Sequence, residues 1–271
     1  MATDVGTTGG RAPGSGIGAR PLLPRLEDAA TFPWDGRLAK AQGIYGFDSR
    51  DIRSRPFNLL RSRLFKFKRI RNWRLFGIVS AGPGVGKSFV ASNLAAALSR
   101  TPDITTYLID LDLRRGSVAQ NFACKAETGV RSYLEGEIDS LVGAALRPEG
   151  EKLVLLPTDS LPTHSSELLA SERMARLADD MRAQPASSVF ICDLPPVFAN
   201  DDAAIVTSML DAYMLLVEDG RTTRKQVRDS MNALAPAVCA GVVLNRYHGG
   251  LVSDTYGYGY GEAGAYGDYY E

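Results

Sequence analysis

Residues 75–88 read LFGIVSAGPGVGKS. The first six form an apolar run of strand length, a Gly-rich turn follows, and Phe89, Val90, Leu94, Ala97 and Leu98 then recur at helical spacing. Residues 81–88 match the P-loop pattern G-x-x-x-x-G-K-[ST] except at the first position, where Ala81 stands for Gly. In a strand–turn–helix setting this pattern surrounds a phosphate with backbone N–H groups at a helix N-terminus. Gly82, Pro83, Gly84, Val85, Gly86, Lys87, Ser88 and Phe89 are therefore the candidates for nucleotide contact. Lys87 supplies a point charge and Ser88 a hydroxyl for a divalent cation.

The neighbouring strands extend this reading. Thr105–Ile109 runs into Asp110-Leu111-Asp112, two carboxylates spaced to share one side of an extended chain. They repel unless a cation is near. The run VFIC at 189–192 ends in Asp193-Leu194-Pro195-Pro196, an acid at the Walker B position. GVVLNRY at 241–247 brings Asn245 and Arg246 to a strand end. The Asn245 amide can donate to and accept from an adenine edge, or serve as a turn residue.

Leu153–Leu156 and Tyr213–Val217 are further apolar runs, and helical patterns at 166–183, 201–210 and 222–234 separate most of the strands. The alternation predicts an α/β fold, a mostly parallel sheet with helices on both faces. Ligands in such folds bind at the carboxyl ends of the strands, where the candidates above fall.

The flanks differ. Residues 1–50 are rich in Gly, Pro and Ala and read as a mostly disordered leader in which Trp34 and Tyr45 can dock locally. Residues 52–74 hold nine Arg or Lys and no acid, with Phe57, Leu60, Leu64 and Phe65 at helical spacing. They predict an amphipathic basic helix suited to packing on the domain, to an anionic membrane surface or to a neighbouring subunit. The core domain spans 51–250. Residues 251–271 form a tail whose last 18 residues, DTYGYGYGEAGAYGDYYE, hold six tyrosines, five glycines, four acids and no Lys or Arg.

Composition bounds the function. The 271 residues carry 31 basic and 31 acidic side chains, but residues 1–80 hold 15 basic against 6 acidic. A basic front on an acidic body implies an anionic partner for the front. Cys124, Cys192 and Cys239 are too scattered for a disulfide frame, and two histidines exclude a His-rich metal centre. The longest uncharged run, Ser230–Asn245, contains Asn232 and Pro236, and the N-terminus has no apolar signal core, so the expectation is a cytoplasmic, peripheral protein. No nucleic-acid partner is expected.

The combination of AGPGVGKS, LIDLDLRR (108–115), ICDLPP (191–196) with Asp201–Asp202, SSELLAS (165–171), EDGRTTRKQV (218–227), GVVLNR and the tyrosine tail resembles the bacterial tyrosine kinases of capsule and exopolysaccharide export. The likeness covers roughly 54–271. Partition and division-site ATPases of the MinD/ParA type share the fold, but their P-loop has a signature Lys where this chain has Gly82. The resemblance implies an ATP- and Mg²⁺-dependent autokinase acting between subunits of a homo-oligomer on Tyr256, Tyr258, Tyr260, Tyr266, Tyr269 and Tyr270. It also implies a transmembrane adaptor whose cytoplasmic end activates the kinase and holds it at the inner membrane. Ser88, Asp112 and Asp193 then hold the metal, and Asp110 is the tyrosine base, in a role that Asp112 can exchange with it. The competing reading is a MinD/ParA-like ATPase switch. The family's ring-assembly motif E-x-x-R-x-x-R corresponds here to Arg55, Asn58 and Arg61, so only its last Arg is kept.

Overall fold

The computed structural model describes residues 21–159 and 164–247. Eight strands occupy Ala30–Phe32 (β1), Leu75–Ser80 (β2), Thr105–Asp110 (β3), Leu146–Pro148 (β4), Leu153–Leu156 (β5), Ser188–Asp193 (β6), Ala212–Glu218 (β7) and Cys239–Asn245 (β8). The helices are Gly36–Ala41 (α1), Arg55–Arg71 (α2), Lys87–Ser99 (α3), Val118–Asn121 (α4), Val130–Leu134 (α5), Ser165–Leu169 (α6), Glu172–Ala183 (α7), Asp202–Thr207 (α8) and Arg224–Ala233 (α9).

The strands form one sheet in the order β1-β4-β5-β3-β6-β2-β7-β8. Every pairing is parallel except β4 with β5. All six residues of β2 and of β6 are buried, as continuous apolar strands covered on both faces must be. One core lies on each side of the sheet. Helix α3 is buried almost all round, which its Ala95-Ala96-Ala97 run permits. The α/β expectation holds. The pattern at 166–183 resolves into two helices, because the Ser171 hydroxyl accepts from Met174 N and starts α7 afresh.

The expected leader is corrected over 21–50, which is built into the fold. Leu22 and Leu23 enter one core, and the Tyr107 hydroxyl donates to Pro24 O at 2.9 Å. Strand β1 closes the edge of the sheet beside β4. Trp34 and Ile44 enter the opposite core, where Trp34 packs 5.3 Å from the Phe122 ring and 6.0 Å from that of Phe47. Asn93, buried in α3, fixes the arm: its Oδ1 accepts from Tyr45 N and Gly46 N at 2.7 and 3.1 Å, and its Nδ2 donates to Gly43 O at 3.0 Å. A few apolar anchors and these backbone bonds order a stretch whose Gly and Pro content reads as disorder. Residues 1–20 and the tyrosine tail lie outside the described residues.

The basic helix forms as α2, with Phe57 and Leu64 buried. The positions of the ring-assembly motif turn inward in part. Asn58 takes a hydrogen bond from Arg100, and Arg61 Nη1 donates to Ala97 O at 3.4 Å. Among the described residues no helix is long and apolar enough to cross a membrane. All three cysteines are free thiols; Cys192 is buried, and burial pushes it up to about 12.

Candidate functional site

The Gly-rich turn joins the end of β2 to α3. Gly84 and Gly86 have φ of +77° and +96°, a backbone region that disfavours side chains. A Cβ on Gly82 or Gly84 would meet nothing within 4 Å, so the outer face of the loop is open. The Ser80 hydroxyl braces the turn by donating to Gly82 O at 2.7 Å. Lys87 is buried and makes no ion pair or hydrogen bond with any described residue.

Parallel pairing carries the acids to this loop. Asp110 and Asp193 are register partners on β3 and β6, and Asp193 is also the partner of Ile78 on β2. Both carboxyls are fully buried. Asp110 Oδ2 accepts from Ser117 N and Val118 N at 2.9 and 3.0 Å. Its Oδ1 and both oxygens of Asp193 have no hydrogen-bond partner. Burial raises Asp110 well above the usual carboxylate range, and the charge of Asp193 adds to the rise. Burial likewise pushes Asp193 up to about 7; the Ser88 hydroxyl and Lys87 charge oppose this without closing a hydrogen bond on it. Asp112 is raised by burial too, against the pull of Lys87, and its Oδ1 accepts from Arg115 N at 3.1 Å.

Three orphaned, buried carboxylate oxygens beside a lysine and a P-loop hydroxyl form a donor set for a hard cation. Of the expected Mg²⁺ holders, Ser88 and Asp193 fit on this ground, while none of the orphaned oxygens is Asp112's. Among the described residues no three acidic, imidazole or thiol side chains converge as a metal cage. A Mg²⁺ that keeps waters and shares phosphate oxygens does not need one.

Asn245 and Arg246, the dipeptide at the end of β8, both bond within the fold. Asn245 reaches the loop, but as a brace: its Nδ2 donates to Val85 O at 2.7 Å, and a Cβ on Gly86 would stand 2.5 Å from that nitrogen. Arg246, at φ +55°, ties back to Glu218 at 3.0 Å. The Phe89 ring lies 5.8 Å from the Phe57 ring of α2 and 6.4 Å from that of Tyr45 in the N-terminal arm.

A further junction went unassigned in the sequence. Asp202, buried at the start of α8, accepts from Arg114 Nε at 2.9 Å and from the Ser165 hydroxyl at 2.7 Å, and it also bonds the Ser166 hydroxyl. It thereby ties the segment after β3, which carries Asp112, to α6 and α8. These bonds hold its carboxyl below the usual range despite burial. Asp201–Asp202 and SSELLAS marked the family likeness, but no spacing rule joins positions 114, 165 and 202.

No family profile matches the chain. Tyrosine-protein kinase YwqD of Bacillus subtilis is 30% identical over 216 residues, covering 79% of this chain and 88% of its own length. EpsB of Ralstonia nicotianae, named as a tyrosine-protein kinase, is 35% identical over 191 residues, or 69% of this chain. The chain spans only 24% of the length of EpsB. The succinoglycan biosynthesis transport protein ExoP of Rhizobium meliloti is 34% identical over 64% of this chain and 22% of its own. Among solved structures, the kinase domain of Escherichia coli tyrosine kinase ETK superposes with a TM-score of 0.69 at 28% identity, covering 85% of this chain and 94% of that one.

Proposed function

Because the chain belongs to the bacterial tyrosine kinase family, we propose that it is an ATP-dependent protein-tyrosine autokinase. It phosphorylates Tyr256, Tyr258, Tyr260, Tyr266, Tyr269 and Tyr270 of a neighbouring copy's tail and thereby regulates exopolysaccharide or capsule export. The observation that carries this reading is the orphaned pair Asp110 and Asp193 beside Lys87 at the mouth of the P-loop. The polysaccharide context is supported by the name of ExoP.

The backbone N–H groups of residues 84–88 would hold the ATP phosphates, and Lys87 would supply positive charge to the β- and γ-phosphates. Ser88, Asp112 and Asp193 hold Mg²⁺, which when bound neutralises phosphate charge. Asn245 keeps the loop in shape through Val85 O. A tyrosine hydroxyl has a pKa near ~10 and needs a base at neutral pH. Asp110, raised by burial, takes that proton once the cover made by Ser117 and Val118 yields; in the exchanged arrangement Asp112 is the base and Asp110 takes its place at the metal. Phosphoryl transfer is then mostly positioning and charge stabilisation.

A transmembrane adaptor's cytoplasmic end activates the kinase and holds it at the inner face of the inner membrane, with the exposed basic face of α2 beside anionic lipid. Mass spectrometry of the protein incubated with Mg²⁺ and ATP tests the reading: phosphate on the tail tyrosines supports it. A bare tail with ATP hydrolysed transfers the protein to the MinD/ParA-like switch class.

A further inference from the structure

Of the ten residues of α9 only Ser230 is buried. Arg224, Val227, Arg228, Met231 and Asn232 recur at three- and four-residue spacing and so share one helical face. Together they form a shallow, open patch on the surface of the helix. Val227 and Met231 supply its apolar part and the two arginines its charge. Arg224 makes no ion pair with any described residue. Arg228 meets only Asp229, at 3.6 Å, an acid that Lys225 holds more closely at 2.6 Å. Beside the helix, Val242 and Leu244 of β8 are 49% and 52% exposed. They pair with Leu215 and Val217, which belong to the core against which Val227 packs. Nothing in the nucleotide site uses this surface.

The chain leaves the fold next to it. The ends of β7 and β8 are joined by Asp219 N donating to Asn245 O at 3.1 Å, and α9 starts at Arg224, just beyond β7. From Tyr247 to Tyr256 is nine residues, about 30 Å of extended chain at about 3.3 Å each. Helix α9 is about 15 Å long at 1.5 Å per residue, half the contour length of that segment. That segment has no Lys or Arg, and Asp254 and Glu262 flank the run YGYGYG. In an extended chain Tyr256, Tyr258 and Tyr260 stand on one side, with only glycines opposite.

We infer that this exposed face of α9 is a docking site for the phosphorylated form of this chain's own tail. One phosphotyrosine of the Tyr256–Tyr260 run lays its ring on Val227 and Met231 and its phosphate between Arg224 and Arg228. Arginine pairs bind phosphate through charge-assisted, paired hydrogen bonds, and thioether sulfur packs well against aromatic rings. The modified tail is thereby withdrawn from the active site it has visited. The inference rests on the autokinase reading for the origin of the phosphate, not for the binding itself.

The test uses the full chain carrying Lys87→Met, which keeps its own tail unmodified. Synthetic peptides 252–263, with Tyr258 either phosphorylated or plain, are titrated by fluorescence anisotropy. The phosphopeptide is expected to bind at least about tenfold more tightly than the plain peptide, the scale of one charge-assisted hydrogen bond. Combined Arg224→Gln and Arg228→Gln, both at exposed positions, remove most of that difference. Equal binding of the two peptides overturns the proposal. So does a preference that survives the arginine changes, or one abolished instead by Arg63→Gln with Lys66→Gln on α2, or arginine-dependent capture by phosphatidylglycerol vesicles with no phosphopeptide binding. Because the phosphate is synthetic, a chain without kinase activity leaves this outcome readable.

Discussion

Asp110 and Asp193 stand side by side as register partners on adjacent parallel strands, both without solvent exposure, and three of their four carboxylate oxygens have no partner. Two like charges in a buried place are costly to the nucleotide-free fold. The cost is offset when a cation and a nucleotide arrive, so binding and stability are opposed at this pair.

Asp193→Asn removes one of the two like charges and is therefore expected to stabilise the nucleotide-free protein by about 1–2 kcal/mol at neutral pH, the scale of about one unit of pKa shift. It abolishes the extra stability that Mg²⁺ with ATP gives. Thermal melts with EDTA and with Mg²⁺ plus ATP read both effects. A variant that melts below the parent in EDTA contradicts the strain at this pair.

The same pair sets a pH dependence. Its folded-state pKa values are raised, Asp193 to about 7. The folded protein thus holds protons that the unfolded chain has released above about pH 4. Stability is full below that point and is lost as pH rises through 7, at up to about 1.4 kcal/mol per pH unit for each group. In EDTA the melting temperature should fall between pH 5 and 8, and Asp193→Asn should flatten the fall. Parallel slopes for parent and variant rule this out.

Asn245 holds the loop through Val85 O at 2.7 Å. Asn245→Ala should weaken ATP binding about tenfold, the equivalent of about 1.4 kcal/mol and the scale of one lost buried hydrogen bond. It should weaken GTP binding equally, because the residue supports the phosphate loop. Isothermal titration with both nucleotides decides the matter. A selective loss of ATP binding would return Asn245 to the role of adenine reader.

Trp34, 9% exposed between Phe122, Phe47 and Phe32, belongs to the core. Trp34→Ala should cost about 3–5 kcal/mol in urea unfolding, as large-to-small changes of buried aromatics do. A change below about 0.5 kcal/mol, as at an uninvolved surface position, would mean that the arm is dispensable.

The strands that carry chemistry were legible because each is an apolar run ending in a polar residue at the same sheet edge. Asp110, Asp193, Lys87 and Asn245 were brought together by that rule alone. Strands β1 and β4 were not read, since three residues each give no periodicity. The arm was misread because Leu22, Leu23, Trp34 and Ile44 are sparse anchors in a Gly- and Pro-rich stretch, and their partner Asn93 lies 47 residues beyond Gly46. Asn245 was placed at the right edge, and its bond to Val85 O was not foreseen. An amide serves a backbone carbonyl as well as a base, and only three-dimensional packing chooses. The Asp202 junction joins segments 37 and 88 residues away, at Ser165 and Arg114, which no local pattern encodes.

The central claim is tested most directly by a phosphotyrosine immunoblot of the purified chain after incubation with Mg²⁺ and ATP. Lys87→Met and a chain ending at Gly250 run beside it, each with and without the cytoplasmic end of a candidate adaptor. The account predicts a signal on the parent alone, with Lys87→Met reduced on the order of 10²–10³ in rate, as for other lost transition-state charge donors. Signal that persists in Lys87→Met or in the tailless chain, or no signal in any lane while ATP is hydrolysed, contradicts it.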